Sequence, residues 1–217
     1  MSSFVEKLGS LGFEVDDAAL SNYDQSFASI SSMLALENLV DDSGTVAASL
    51  PVTRAVSSGD GELFRAFKNA GYRIAMAPSA WDGSRCGTIV DDCHNVRVMS
   101  NTGYWLLRRT LLAPLVPDLL LHPWTNTSIG QLESLAAMHS DSRRSGAPVL
   151  TWVHVALPHA PLHLNAECEI VDAPWRRIYG ASAPDEFNTE RREAFAEQVA
   201  CVDSMVLEQL ERVIAND

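Results

Sequence analysis

Three features of the chain predict an α/β fold. An amphipathic helix, a glycine and a short apolar strand follow one another over residues 62–77. A buried-strand run opens the stretch TWVHVALPHAPLHLN at Thr151, and a long amphipathic helix closes the sequence. Helix, glycine, strand is half of a βαβ unit, and an apolar run of four to eight residues bounded by prolines suits a strand covered on both faces. The 217 residues, 47% apolar and 20% charged, suit one domain over 1–217 with length enough for a sizeable core.

Taken in order, Phe4, Val5, Leu8 and Leu11 recur at helical spacing, and Gly9 and Gly12 supply a stop. Residues 13–15 read as a short strand and 21–25 as a polar turn. The spacing predicts a helix over 26–39 with Phe27, Ile30 and Leu34 on one face, then a Ser-, Gly- and Asp-rich loop over 41–60. A helix over 62–70, with Leu63, Phe64 and Phe67 apolar, is capped by Gly71, and a strand over 72–77 stops at Pro78. Residues 81–95 read as an irregular loop. Helices are predicted over 102–112 and 129–139, on either side of a proline-interrupted connection. The strand run Trp152, Val153, Val155, Ala156, Leu157 comes next, ended by Pro158 and Pro161, which fix the backbone around His159. Residues 168–188, with Pro174 and Pro184, read as irregular. The last helix, capped by Asn188 or Thr189, carries Glu190 and Glu193 in its first turn and the stripe Phe195, Val199, Val202, Val206, Leu210, Val213.

A net charge of −12 excludes a nucleic-acid partner of the usual kind, which needs a basic face. The most apolar stretch, residues 111–121, is broken by Pro114, Pro117 and Asp118 and is too short for a bilayer. The start MSSFVEKLGS lacks a basic region followed by an apolar run, so no signal peptide is read and the chain is expected to be soluble. The four cysteines match no zinc spacing. Cys86 with Cys93, and Cys168 with Cys201, are either free thiols or disulfides.

Several groups are candidates for chemistry. Ser26 is a plain helix cap or a nucleophile at a helix start, where free N–H groups favour an anion. His159, between prolines beyond a buried strand, sits where an open α/β sheet offers side chains to a ligand. His154 reads as a core histidine in mid-strand, and His163 stays open. Asp82, Asp91, Asp92 and His94 make either a solvated loop or a cation or acid–base site. Arg176, Arg177, Arg191 and Arg192 read as surface charges, with an oxyanion clamp as the other reading.

With these residues placed, SNYDQSFASISSMLALENL resembles the NYxQT-SLxSxLN segment of sulfatase-like, alkaline-phosphatase-superfamily domains of bacterial membrane proteins. FRAFKNAGYRIAMAPSAW resembles the helix, GY, strand element of that family, HVALPHAPLHLN its LPHPPF segment, and the closing helix the one that precedes its Asp-His-Gly strand. The resemblance implies an alkaline-phosphatase-like, mainly parallel sheet flanked by helices and truncated at both edges. It implies metal-dependent hydrolysis or transfer of phosphate or sulfate esters, of small molecules or lipid head groups. The family's nucleophile falls on Ser26, which would also touch the metal (zinc, manganese, magnesium or calcium), and its substrate-contacting histidine falls on His159. An upstream strand ending in Asp-Gly and the Asp-His-Gly ligands do not occur in these residues, so little activity, or a non-catalytic anion- or partner-binding module without a metal, is expected. The family's domain lies outside a bacterial membrane, tethered by upstream helices, which favours a Cys86–Cys93 disulfide. A truncated sheet would leave an open strand edge and a tendency to self-associate.

Overall fold

The computed structural model describes residues 3–16, 18–23, 26–39, 59–79, 84–96, 99–111, 115, 122–171 and 188–216. The loop readings for 41–58 and 172–187, with Pro174, Arg176, Arg177 and Pro184, lie outside the described residues, as do Asp82, Pro114, Pro117 and Asp118. The elements in order are α1 (Ser3–Ser10), α2 (Ser26–Ala35), α3 (Glu62–Asn69), β1 (Arg73–Ala77), β2 (Asp92–Cys93), α4 (Asn101–Arg108), α5 (Pro123–Arg143), β3 (Val149–Val153) and α6 (Asn188–Ala215).

The strands form one open parallel sheet in the order β2-β1-β3. A strand's side chains alternate between faces, and here the alternation builds two cores. On one face Ile74, with Leu150 and Trp152, packs against Phe64 of α3 and Leu34 of α2. On the other, Ala75 and Ala77, with Val149 and Val153, meet Met138 and Leu135 of α5. A third cluster, Leu132, Leu157, Leu164, Cys201 and Val202, joins α5, the chain beyond β3 and α6. The expected α/β class with a mainly parallel sheet is therefore present, with helices on both faces. Among the described residues no helix is long and apolar enough to cross a membrane.

Helix ends explain where the expected boundaries hold and where they move. Gly12 and Gly71, at φ 92° and 87°, sit past α1 and α3 in the left-handed region. There the N–H of Phe13 returns to Leu8 O and that of Tyr72 to Phe67 O. α2 stops at Ala35, not at residue 39, because Leu36 takes φ 55° and Glu37 N–H returns to Ser32 O at 3.1 Å. This is the same closure made by a leucine, which no sequence signal marks. α2 and α3 approach closely at Gly61, where a Cβ would lie 2.6 Å from Leu34 O.

Other expectations are corrected. Residues 13–15 form no strand. Residues 92 and 93, expected in a loop, form β2: Arg73 on β1 binds both Asp92 carboxylate oxygens at 2.8 and 2.9 Å, and Ser142 of α5 donates to the same group. α5 runs from Pro123 to Arg143, far past 129–139, because its buried positions include Thr125, Thr127, Ser128, Gln131 and Ser142, so apolar spacing hides both ends. β3 lies at 149–153 rather than 152–157.

Both cysteine pairs are disulfides, Cys86–Cys93 and Cys168–Cys201, spanning 7 and 33 residues. Loop-closure entropy makes the longer one worth about 3.7 kcal/mol and the shorter about 2.4 kcal/mol. Urea unfolding of the paired Cys→Ser variants should therefore show the larger loss for Cys168 and Cys201. An equal or reversed order would mean that the loop-entropy account fails here.

Candidate functional site at the carboxyl end of the sheet

β1 and β3 leave the sheet at the same end because they are parallel. After β1, Pro78 O accepts a hydrogen bond from the Gln131 side-chain amide, and Ser79 N–H donates to Ser84 Oγ at 2.9 Å. After β3, His154 N–H makes a last rung to Ala77 O at 3.4 Å, and Val155 and Leu157 then turn into the α5–α6 cluster. The Leu157–Pro158 and Ala160–Pro161 peptide bonds are both cis, on either side of His159. The chain folds back through an antiparallel bridge between Leu164 and Ile170, with Val171 N–H on His163 O at 2.7 Å.

α6 holds this loop through one buried side chain. Gln198 donates from Nε2 to Pro158 O at 3.0 Å and His159 O at 3.2 Å, and its Oε1 accepts from Leu164 N–H at 3.1 Å. The Cys168–Cys201 disulfide ties the far end of the loop to the next turn of the helix. Below, His163 is buried, with its Nδ1 2.9 Å from Nδ1 of His122 and 3.3 Å from Thr125 Oγ1, so it belongs to the packing of the loop on α5.

His159 itself is exposed. Its backbone N–H donates to Ala156 O at 3.0 Å and its Nδ1 lies 2.7 Å from Ala160 O. A carbonyl only accepts, so Nδ1 carries a proton and Nε2 is the acceptor nitrogen of the neutral ring. Just past it along the chain, a hollow of about 310 Å³ is lined by Ala160 and Leu162 of the loop and by Arg191, Arg192 and Phe195 of α6. Phe195, expected in the buried stripe, is 48% exposed there.

The remaining candidates disperse. Ser26 is exposed at the first residue of α2, on the helix that packs with α3 against the Ile74 face, whereas the His159 loop is anchored on the α5–α6 side. No described hydrogen bond joins the two. Asp91 and Asp92 are structural rather than a solvated loop or a cation site. Asp91 binds Lys68 and accepts from Ile74 N–H, and Asp92 binds Arg73 and Ser142. Burial pushes both carboxyls up, but these hydrogen bonds and the neighbouring cations outweigh it and hold them below their usual range. His94 N–H donates to Met76 O at 2.9 Å. His154 is not in mid-strand; it follows β3, and burial lowers its pKa. Among the described residues no three His, Cys, Asp or Glu side chains converge, so these residues do not by themselves fit a bound divalent metal. No protein-family model, curated protein or solved structure matches the chain.

Sequence reasoning passed over Gln198 and His122. Gln198 carries no local signal of its burial, being one polar residue on a long helix. Gln198→Leu should cost about 2–4 kcal/mol, because it leaves a buried N–H and two carbonyls without their partner. It should also speed exchange of the Leu164 amide; unchanged exchange would remove Gln198 as the clamp.

His154 is held neutral by burial, and His139 by burial and then the Arg143 charge. Both folded pKa values lie below that of the unfolded chain. Their stabilisation is therefore complete above about pH 6.5 and declines as pH falls below it. Denaturant midpoints measured across that range should show the decline, and His154→Gln should flatten it. A flat profile in the wild-type protein would contradict the assignment.

Proposed function

We propose that the chain is a sulfatase-like, alkaline-phosphatase-superfamily domain that binds a phosphate or sulfate ester at the carboxyl end of its sheet. His159 is the contact to the ester and Arg191 and Arg192 are its charge partners; Ser26 takes the nucleophile position by resemblance, though its helix packs on the α2–α3 face and the His159 loop on the α5–α6 side. The ester is a small molecule or a lipid head group, presented on the outer side of a bacterial membrane, a setting with which two disulfides agree.

One observation carries the reading. A loop pinned by Gln198 at the Pro158 and His159 carbonyls carries an exposed histidine, and its next residues, Ala160 and Leu162, wall a hollow that Arg191 and Arg192 at the start of a helix also line. Guanidinium forks and helix N-termini both favour tetrahedral oxyanions. Turnover by this chain is small, because a serine hydroxyl without an activating group is a poor nucleophile at neutral pH. A second reading, a non-catalytic module for an anion or a partner, rests on the same hollow and differs only in turnover.

Titration with inorganic phosphate or sulfate should shift the His159 ring resonances saturably. Arg191→Gln with Arg192→Gln should weaken that binding by about tenfold or more. No shift on titration would dismiss the ester site. In parallel, aryl phosphate and aryl sulfate should be hydrolysed near the background rate, with or without Mn²⁺ or Zn²⁺. Metal-dependent hydrolysis abolished by Ser26→Ala would instead establish a working nucleophile and remove the second reading.

A further inference from the structure

The register of β3 determines where each of its backbone groups points. Residues 73–77 of β1 pair one for one with 149–153 of β3. Arg73 N–H donates to Pro148 O at one end of the ladder, and His154 N–H to Ala77 O at the other. Facing residues alternate along a parallel strand. Leu150 and Trp152 therefore turn their N–H and C=O groups toward β1, and Val149, Thr151 and Val153 turn theirs away. β3 is the end strand of the sheet, and nothing bonds those outward groups among the described residues. Every residue of β3 also keeps partial exposure, whereas Ile74 to Ala77 of β1 are fully buried.

We propose that this edge is a homodimer interface, in which two copies join β3 to β3 antiparallel about a twofold axis at Thr151. The outward residues read the same in both directions: valine, threonine, valine. Across the axis Val149 of one copy faces Val153 of the other, and Thr151 faces Thr151. In an antiparallel ladder such outward-facing pairs are the ones that exchange both N–H···O bonds, so every outward group finds a partner. All the facing residues are β-branched, which suits cross-strand pairing. The strand has no charge, proline or glycine to blunt it as an edge.

Joining needs no repacking, because the side chains of Val149 and Val153 stay against Ala75, Ala77 and Met138, and Thr151 Oγ1 keeps its 2.9 Å contact with His139 Nδ1. The opposite edge, β2, is only two residues long and carries the Asp92–Arg73 pair, so the contact is isologous and closes at two copies. Each copy carries a net charge of −12, so the dimer tightens as salt screens the repulsion. The inference stands apart from the ester site, and neither test reads the other.

Sedimentation of the full chain over a concentration series, at low and high salt, should show a monomer–dimer equilibrium that shifts to dimer with salt. Hydrogen exchange on the same samples should slow at Val149, Thr151 and Val153 in step with dimer, while Leu150 and Trp152 stay protected throughout. Thr151→Pro removes the central outward donor without removing a rung to β1, and should give a folded monomer. The wild-type exchange profile decides the matter even if that variant does not fold. A monomer at all concentrations, a dimer whose outward amides exchange as in the monomer, or outward amides protected in the monomer by another segment would each overturn the proposal. So would an assembly that grows without limit.

Discussion

The parallel pairing of β1 with β3 is the constraint from which the rest of the architecture follows. Parallel neighbours cannot be joined by a tight turn, so the chain between Ala77 and Val149 must travel the length of the sheet, and it does so through α5. A parallel pair must also be covered on both faces. The alternation of β1 meets that need unequally. Ile74, with Leu150 and Trp152, offers bulk to α2 and α3, while Ala75 and Ala77 offer small surfaces that let α5 bring Met138 into full burial. Because both strands point the same way, the loops that follow them emerge together, and α5 supplies the Gln131 amide to hold the first of these at Pro78. The position of the His159 loop is thus a consequence of strand direction.

Within that frame, α6 determines how firmly the loop is held. Gln198 takes two of its carbonyls and one N–H, the Cys168–Cys201 bond anchors its far end, and His122 and Thr125 support His163 from beneath. A side chain on such a backbone loses little additional freedom when it meets a ligand, which favours binding at a given contact area. The same packing separates the histidines by role. Burial lowers the pKa of His154 and His139, whereas His159 is left in contact with solvent, on the loop whose Ala160 and Leu162 line the arginine-walled hollow.

Elements whose signals are local and apolar were legible: α3 with its Gly71 closure, β1 up to Pro78, α1 with Gly12, and the closing helix. What escaped depends on partners distant in sequence. β2 is an aspartate and a cysteine that become a strand only because Arg73, Ser142 and the backbone of β1 receive them. α5 buries hydroxyls and an amide, so its inner face carries no apolar period, and α2 closes on a leucine in a conformation usually left to glycine. At the site, the prolines around His159 were visible in the chain, but not the glutamine that grips them from α6, because a single polar residue on a long helix has no local signature of burial.

The two edges of the sheet are built differently, and the difference is physical. On the β2 side Lys68, Arg73, Asp91 and Asp92 interlock, the Asp91 carboxylate takes the Ile74 N–H, and a disulfide fastens Cys93 to Cys86. Charges, short length and covalent closure are the devices that keep a sheet edge from recruiting a neighbour. Among the described residues the β3 side has none of them: its five residues are uncharged, half-buried and rich in β-branched types. Backbone amides left at such an apolar rim are costly unless water or a strand satisfies them. Among the described residues one edge is guarded and the other is bare, and that asymmetry is what favours the proposed pairing of β3 with β3 over any pairing through β2.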